Sequence, residues 1–337
     1  MDTALAKSKD GYSVDAALVD GESERVLATQ TVVILAEALT PRWRADMQDA
    51  LDELTFIALK SEAKRAELKL VEALDVRDLS FRAYATWATH HGKEAKDAYV
   101  TASDLLTRAL KLAPDDRLAT FMTAEINLCN CVMAWSQNVE EQKAIGAAAL
   151  DKYLRMDPTN SDMIAEKADL YDLRGRYEDA LLTADSLLEA DPENPFAAWT
   201  KARELLRLNR APEAISIMDQ LIARSGTRYS SVQSLAAAVH YATGDYAAAA
   251  KLAQTATTKM SNDALRSPVS GTVRLTLAAA EAHLGHHDRA LAAMADFDAA
   301  VPNTKTISAI KKWTYSTAFL AGYEPLYEGL RMAGVPE

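Results

Sequence analysis

The order of apolar and polar positions changes character along the chain. Tyr12-Ser13-Val14-Asp15-Ala16-Ala17-Leu18-Val19 and Val26-Leu27-Ala28-Thr29-Gln30-Thr31-Val32-Val33 approximate the two-residue alternation of strands, and Asp20-Gly21 between them is a turn signal. This predicts a β-hairpin. A lone hairpin is marginal in water, so the pattern also asks for a sheet to join; the other reading is an irregular arm over residues 1 to 30. From Thr40-Pro41 the period becomes helical, with Trp43, Met47, Leu51, Leu54 and Ile57 spaced three or four apart behind a Pro placed to open a helix. Helical periodicity then runs on. Leu79 to His91 reads as the first helix of a hairpin, and Tyr99, Ala102, Leu106 and Ala109 lie on the second.

Two kinds of punctuation divide the helical part. Pro follows a helix and precedes the next at Ala113-Pro114-Asp115, Asp157-Pro158-Thr159, Asp191-Pro192-Glu193 and Val301-Pro302-Asn303. Pro cannot continue a helix, and Pro158 and Pro192 are 34 residues apart. Between the helices of each pair stands Gly or Asn: Gly175, Asn209, Gly244 and Gly285, at steps of 34, 35 and 41 residues. Such a residue closes the first helix in the left-handed conformation, and Ala180, Ala214, Ala249 and Ala290 shortly after it permit close packing by the second.

A 34-residue helix-turn-helix unit resembles the tetratricopeptide repeat. The best unit is 161–194, where Ile164, Ala168, Tyr171, Gly175, Tyr177, Ala180, Ala184, Leu187 and Pro192 fall at the pattern's large and small positions. In 195–228, Ala202, Leu205, Asn209, Ala214, Met218 and Leu221 keep it, with Ser225-Gly226 in place of Asp-Pro. Units near 230–260 and 271–303 are irregular, the latter preceded by a loop from Asn262 to Pro268, and the unit from Arg117 to Pro158 is long. The expectation is an all-α solenoid of five or six hairpins over residues 78–303. A β-hairpin arm or domain remnant precedes it at 1–34, connecting helices at 35–77, and helices near Thr304–Leu320 and Pro325–Ala333 cap it over 304–337.

Composition supports a folded chain: 49% of the 337 residues are hydrophobic and 25% charged. The formal net charge of -11 argues against direct binding of nucleic acid, which rests on Lys and Arg neutralising phosphates. The longest apolar runs, such as Val32 to Ala36, fall far short of a membrane span of about 20 residues. A cytoplasmic protein that does not engage membranes is expected. Cys129 and Cys131 are too close together to staple distant parts of the fold, and as a C-x-C pair they are either part of a metal site or two small buried residues in a reducing compartment.

Both ends carry a further resemblance. GYSVDAALVDGESERVLATQ is similar to the closing hairpin of the small α/β domain, like the amino-terminal domain of TolB, that precedes the repeats in a group of bacterial multidomain proteins. The ending from Tyr323 to Glu337, with G-L-R-x-A-G-x-P-E, resembles that of rhizobial chains of the adenylate cyclase type. In such proteins a class III adenylate cyclase domain, or the winged-helix domain of CadC-type regulators, lies upstream. The resemblance implies that this chain is the regulatory back half of such a regulator, without its output domain.

Catalytic motifs are not evident: there is no phosphate loop, no H-E-x-x-H and no G-x-S-x-G. No cofactor, catalytic residue or metal site is expected. His283, His286 and His287 straddle the turn at Gly285 and read as solvated turn residues or, failing that, a metal or hydrolytic cluster; His90-His91 end a helix and suit its dipole. The first helix of each hairpin in this repeat lines an inner face. Its candidate partner-binding residues are Asp169, Asp172, Trp199, Arg203, Arg207 and Tyr241, beside Ala165 and His283. The aspartates could bind a basic segment or pair with the arginines. Ala165 and Asp169 stand where chaperone-binding relatives carry Lys and Asn, which argues against clamping a terminal carboxylate. The expected function is a regulatory interaction module for a peptide, a protein or a second copy, exposed strands favouring a dimer. The alternatives are an enzyme subunit acting with a cyclase, or a stand-alone scaffold.

Overall fold

The computed structural model describes residues 2–7, 11–19, 26–35, 54–55, 57–66, 68–89, 95–132, 138–225, 230–259, 268–301, 303–317 and 324–337. The Thr40-Pro41 helix start with Trp43, Met47 and Leu51, the pair His90-His91, Pro302 and most of the 262–268 loop lie outside these residues.

The alternating segments form strands β2 (Gly11–Val19) and β3 (Val26–Leu35), paired antiparallel with Val14 opposite Val32 and Asp15 opposite Thr31. Ala16 and Val32 are buried, whereas on the other face Thr31 Oγ1 donates to Asp15 Oδ1 at 2.6 Å. The hairpin belongs to a three-stranded sheet of order β1-β2-β3, whose additional strand β1 (Asp2–Lys7) carries too little apolar alternation to be read in advance. Helix α1 (57–66), a 3-10 turn at Val71–Ala73, α2 (Val76–Thr89) and α3 (Ala95–Leu112) follow. Lys69 Nζ reaches Asp78 Oδ2 at 2.6 Å ahead of α2.

The remaining helices are α4 (Arg117–Val132), α5 (Val139–Met156), α6 (Ser161–Leu173), α7 (Tyr177–Ala190), α8 (Pro195–Arg207) and α9 (Ala211–Ser225). After them come α10 (Ser230–Ala242), α11 (Tyr246–Lys259), α12 (Pro268–His283), α13 (His287–Ala300), α14 (Ile307–Thr317) and α15 (Glu324–Met332). The described residues fall into two compact units: one of the sheet with α1, α2 and most of α3, the other of α4 to α15 apart from the first turn of α4 and the last residues of α9. The second unit is a solenoid of helical hairpins.

Four hairpins in that solenoid share one turn. Gly175, Asn209, Gly244 and Gly285 have φ of 69°, 57°, 82° and 76°. At each, the amide after the turn residue returns to a carbonyl five residues back: Arg176 to Tyr171 at 2.9 Å, Arg210 to Leu205 at 2.7 Å, Asp245 to His240 at 3.0 Å and His286 to Glu281 at 2.9 Å. This bond satisfies carbonyls the helix end would leave open and fixes the angle at which the second helix departs. Asn160 and Asn194 start α6 and α8, each side chain accepting an amide hydrogen bond of 2.9 Å, from Met163 and from Ala197. Ala168, Ala180, Ala184, Ala202, Ala214 and Ala236 are buried where helices cross, so the alanine-rich composition is spent on close approach. Residues 271–282 of α12 are buried without interruption. A helix buried all round has neighbours on every side.

Candidate inner-face site

The shared turn gives every hairpin a common register. Counting back from the turn residue, Asp169, Arg203, Ala238 and Ala279 hold one position on the first helices α6, α8, α10 and α12, and Asp172, Leu206, Tyr241 and Ala282 hold another. In the first two of these hairpins the first position carries opposite charges, Asp169 and Arg203, on adjacent helices, and the charges meet. Arg203 Nη2 donates to Asp169 Oδ1 at 2.6 Å, while its Nε lies 2.6 Å from Glu204 Oε1 and 3.9 Å from Asp172 Oδ2. Arg207 Nη2 donates to Asp172 Oδ2 at 3.1 Å, with Nε 2.6 Å from Oδ1. The Arg203 guanidinium stacks 4.7 Å from the Trp199 ring, and Arg207 lies 5.1 Å from the ring of Tyr177.

This network is largely dry. Arg203 is 3% exposed and Glu204 is fully buried, with Glu204 Oε2 and Trp199 Nε1 lacking hydrogen-bond partners. Burial pulls the Arg203 guanidinium towards neutrality, but the charges of Asp169, Asp172 and Glu204 outweigh it and raise its pKa. For Glu204 burial wins: its carboxyl is pushed above the usual range although Arg203 opposes the shift. Asp169, Asp172, Trp199, Arg203 and Arg207 thus form one interlocked patch across α6 and α8, the aspartates paired with the arginines of the same chain.

Beside this patch lies an acidic group that the sequence reading passed over. Asp162 and Glu166 stand one turn apart on α6, as do Glu125 and Cys129 on α4. Burial, reinforced by the charge of Asp162, lifts the Glu125 carboxyl to about 7. Glu166 is raised by burial and then by Asp169, Glu125 and Asp162, against Arg203. Glu125 Oε2 is buried without a hydrogen-bond partner. The spacing of Asp162 and Glu166 was visible, but that α4 brings a third carboxylate to them is a fact of packing.

Tyr241 is held elsewhere. It is 3% exposed, and its hydroxyl donates to the carbonyl of Pro325 at 2.8 Å, beneath α15. The histidines at the last turn go separate ways: His283 stacks on Tyr246 with centroids 4.0 Å apart, and His286 Nδ1 lies 2.7 Å from Glu281 Oε2. Burial raises both thiols, Cys131 to about 11, which suits inert packing residues. Among the described residues no group of His, Cys, Asp and Glu is arranged to hold a metal ion, and no helix is long and apolar enough to cross a membrane.

Residues 140–195 and 200–264 match the tetratricopeptide repeat family. Those two segments carry tetratricopeptide repeats. Among solved structures, PilW, described as a widely conserved type IV pilus biogenesis factor, is similar over 70% of this chain and 97% of its own, at 15% identity and a TM-score of 0.52. A human IFIT1 dimer with PPP-AAAA is similar over 88% of this chain and 69% of its own, at 11% identity and a TM-score of 0.50. A tetratricopeptide repeat protein from Parabacteroides merdae covers 77% of this chain and 92% of its own, at 16% identity and a TM-score of 0.47. No curated protein matches the chain in sequence. At such identities the likeness speaks for the fold alone. The repeats here present their charged patch and acidic group on the first helices.

Proposed function

We propose that the chain is a non-catalytic interaction module that receives a basic peptide or protein segment on the inner face of α4, α6 and α8. One observation carries this reading: among the described residues Glu125 Oε2 is buried without a hydrogen-bond partner and Glu125 lies near Glu166 and Asp162, while the neighbouring cation, Arg203, is shared among Asp169, Asp172 and Glu204. Half-buried carboxylates near like charges are costly, and a Lys or Arg brought by a partner removes that cost. Asp162 and Asp169 flank the landing zone, Trp199 offers an aromatic face next to it, and Asp172 with Arg207 stiffens its floor.

The test is fluorescence anisotropy with two labelled 12-residue peptides, one alternating Lys and Arg with Ala, the other replacing every cation by Glu. The basic peptide is expected to bind, to weaken as salt screens the charges, and to lose about tenfold or more in affinity against Glu166→Lys. Equal binding of both peptides, or indifference to Glu166→Lys, overturns the reading.

We further read the module as the cytoplasmic, regulatory portion of an adenylate-cyclase-like or CadC-type regulator, working as a dimer. The support is the hairpin of β2 and β3, the terminal G-L-R-x-A-G-x-P-E, and the outer strands β1 and β3, on whose outer edges no further strand pairs among the described residues. Cyclic AMP formed from ATP and Mg or Mn by the purified chain would contradict a regulatory, non-catalytic role. A sedimentation profile of monomer at all concentrations would contradict the dimer.

A further inference from the structure

The inner face of the third and fourth of these hairpins is already occupied. Gly329 of α15 lies against Ala279 and the Tyr241 hydroxyl, so close that a side-chain carbon at Gly329 would come within 2.7 Å of Ala279 Cβ and closer still to the Tyr241 oxygen. By the common register, Ala279 is the counterpart of Asp169 and Arg203, and Tyr241 that of Asp172. The helix therefore crosses the surface on which the first two hairpins display their charges.

Its placement is not that of a next repeat. The first helix of a following hairpin packs in the groove between both helices of the one before, as α12 does against α10 and α11. Helix α15 instead packs on α12 and reaches back to Tyr241 of α10, with α14 placed between it and the last hairpin in sequence. Leu326, Tyr327, Leu330 and Ala333 form its buried stripe. Ala333 joins Ala282 and Ala290, while Leu326, Tyr327 and Leu330 join the core that includes Ala238 and Ala279. The receiving surface is built of small residues, and the arriving helix puts its glycine at the tightest point.

We propose that α15 is a helical ligand held in cis. The inner face of α10 and α12 is a docking site for a short amphipathic helix with two leucines four residues apart and a glycine before the second. This chain's residues 324–333 fill that site, and a partner helix of the same pattern competes for it. Helices of this length are marginal on their own, so α15 owes its order to the face it sits on. Its outward side carries exposed pairs, Lys311–Glu324 and Arg331–Glu324 at 2.9 Å and Arg331–Glu337 at 2.6 Å, which hold it weakly. Direct polar ties to the rest of the unit include Tyr241 to Pro325 and the Ile307 amide to the Pro336 carbonyl at 2.7 Å. Covalent linkage gives the tail an effective concentration in the millimolar range, so it acts as a threshold that only a tighter-binding helix exceeds.

Native-state hydrogen exchange on the unaltered chain tests the premise: amides of 327–332 are expected to open at least about 100-fold more often than those of 273–280. Equal protection, meaning that α15 leaves only when the unit unfolds, would make it a fixed cap and overturn the proposal. The site itself is tested with the full chain carrying Gly329→Leu and a fluorescein-labelled peptide of residues 322–337. The variant is expected to bind this peptide about tenfold or more tightly than the unaltered chain, whose site is filled, and a second change, Ala279→Leu, is expected to abolish that binding. A helical, cooperatively melting Gly329→Leu chain that ignores the peptide sinks the idea. Should the variant not fold, the exchange comparison on the unaltered chain still decides.

Discussion

Arg203 concentrates the chemistry of the charged patch into one side chain. Its guanidinium serves Asp169 and Glu204 directly and Asp172 at longer range, and it lies on Trp199. Removing it strands Asp169 and the fully buried Glu204, while Asp172 keeps Arg207, so Arg203→Ala is expected to destabilise the repeat unit by about 3–5 kcal/mol. Arg203→Lys keeps the charge but loses the fork that reaches two acids at once. Replacing Arg203 and Glu204 together by Met is expected to recover much of the loss, because a buried pair exchanged for apolar groups costs less than a broken one. Urea midpoints of the three variants check the order; a neutral Arg203→Ala would show that water already reaches the network. Asp169 and Arg203 could be set at equivalent positions from the 34-residue step alone. Whether they faced a partner or each other depended on the spacing of α6 and α8, which no single helix encodes.

At the scale of elements, the turns were the most legible part of the sequence because their cause is local. Gly175 is required by its φ of 69° and by nothing else, since no atom outside the turn lies within 4 Å of a side-chain carbon placed there. Gly146 is the opposite case. It sits within α5 with ordinary helical geometry, yet a side-chain carbon would meet Leu128 Cγ at 2.9 Å and Asn127 Cβ at 3.2 Å on α4. Sequence spacing marks the first glycine and is silent about the second, where the constraint is another helix. Gly175→Ala is expected to cost about 1 kcal/mol through the backbone. Gly146→Ala gains about 1 kcal/mol of helix propensity and loses about 1–3 kcal/mol to overpacking, a net destabilisation despite a better helix former. Thermal melts of both variants, with Gly146→Ser as a larger intruder, check whether the order follows the contact. β1 was missed for the kindred reason that its strand character comes from pairing with β2 rather than from its own alternation.

Across the whole molecule, the period was readable and the long-range closure was not. Tyr241 and Pro325 are 84 residues apart, and nothing in the spacing around either indicates that they meet. A consequence at this scale is the response to pH. Glu125, Glu166 and Glu204 all have carboxyls raised in the fold, Glu125 to about 7, while in the unfolded chain they titrate near 4.5. Between those values the folded chain holds protons that the unfolded chain has released. Stability from Glu125 and Glu204 is therefore fully present below about 4.5 and is lost as pH rises through about 7, and Glu166 acts in the same direction. Asp78 runs the other way. Its carboxyl is held below the ordinary 3.8, burial being overcome by Lys69 and the Asp75 amide, so its contribution persists above that value and fades in stronger acid. The net charge of -11 adds self-repulsion that acidification also relieves. The chain is thus expected to be most stable near pH 5 and to melt at a lower temperature at pH 8, with added salt restoring part of the difference by screening the repulsion. Glu125→Gln mimics the protonated side chain, and is expected to stabilise the chain at pH 8 by on the order of 2 kcal/mol while changing little at pH 5. A Tm for Glu125→Gln that tracks the unaltered chain at both pH values would mean that water, rather than the fold, sets the charge of this acid, and would remove the electrostatic basis for a basic partner at the inner face.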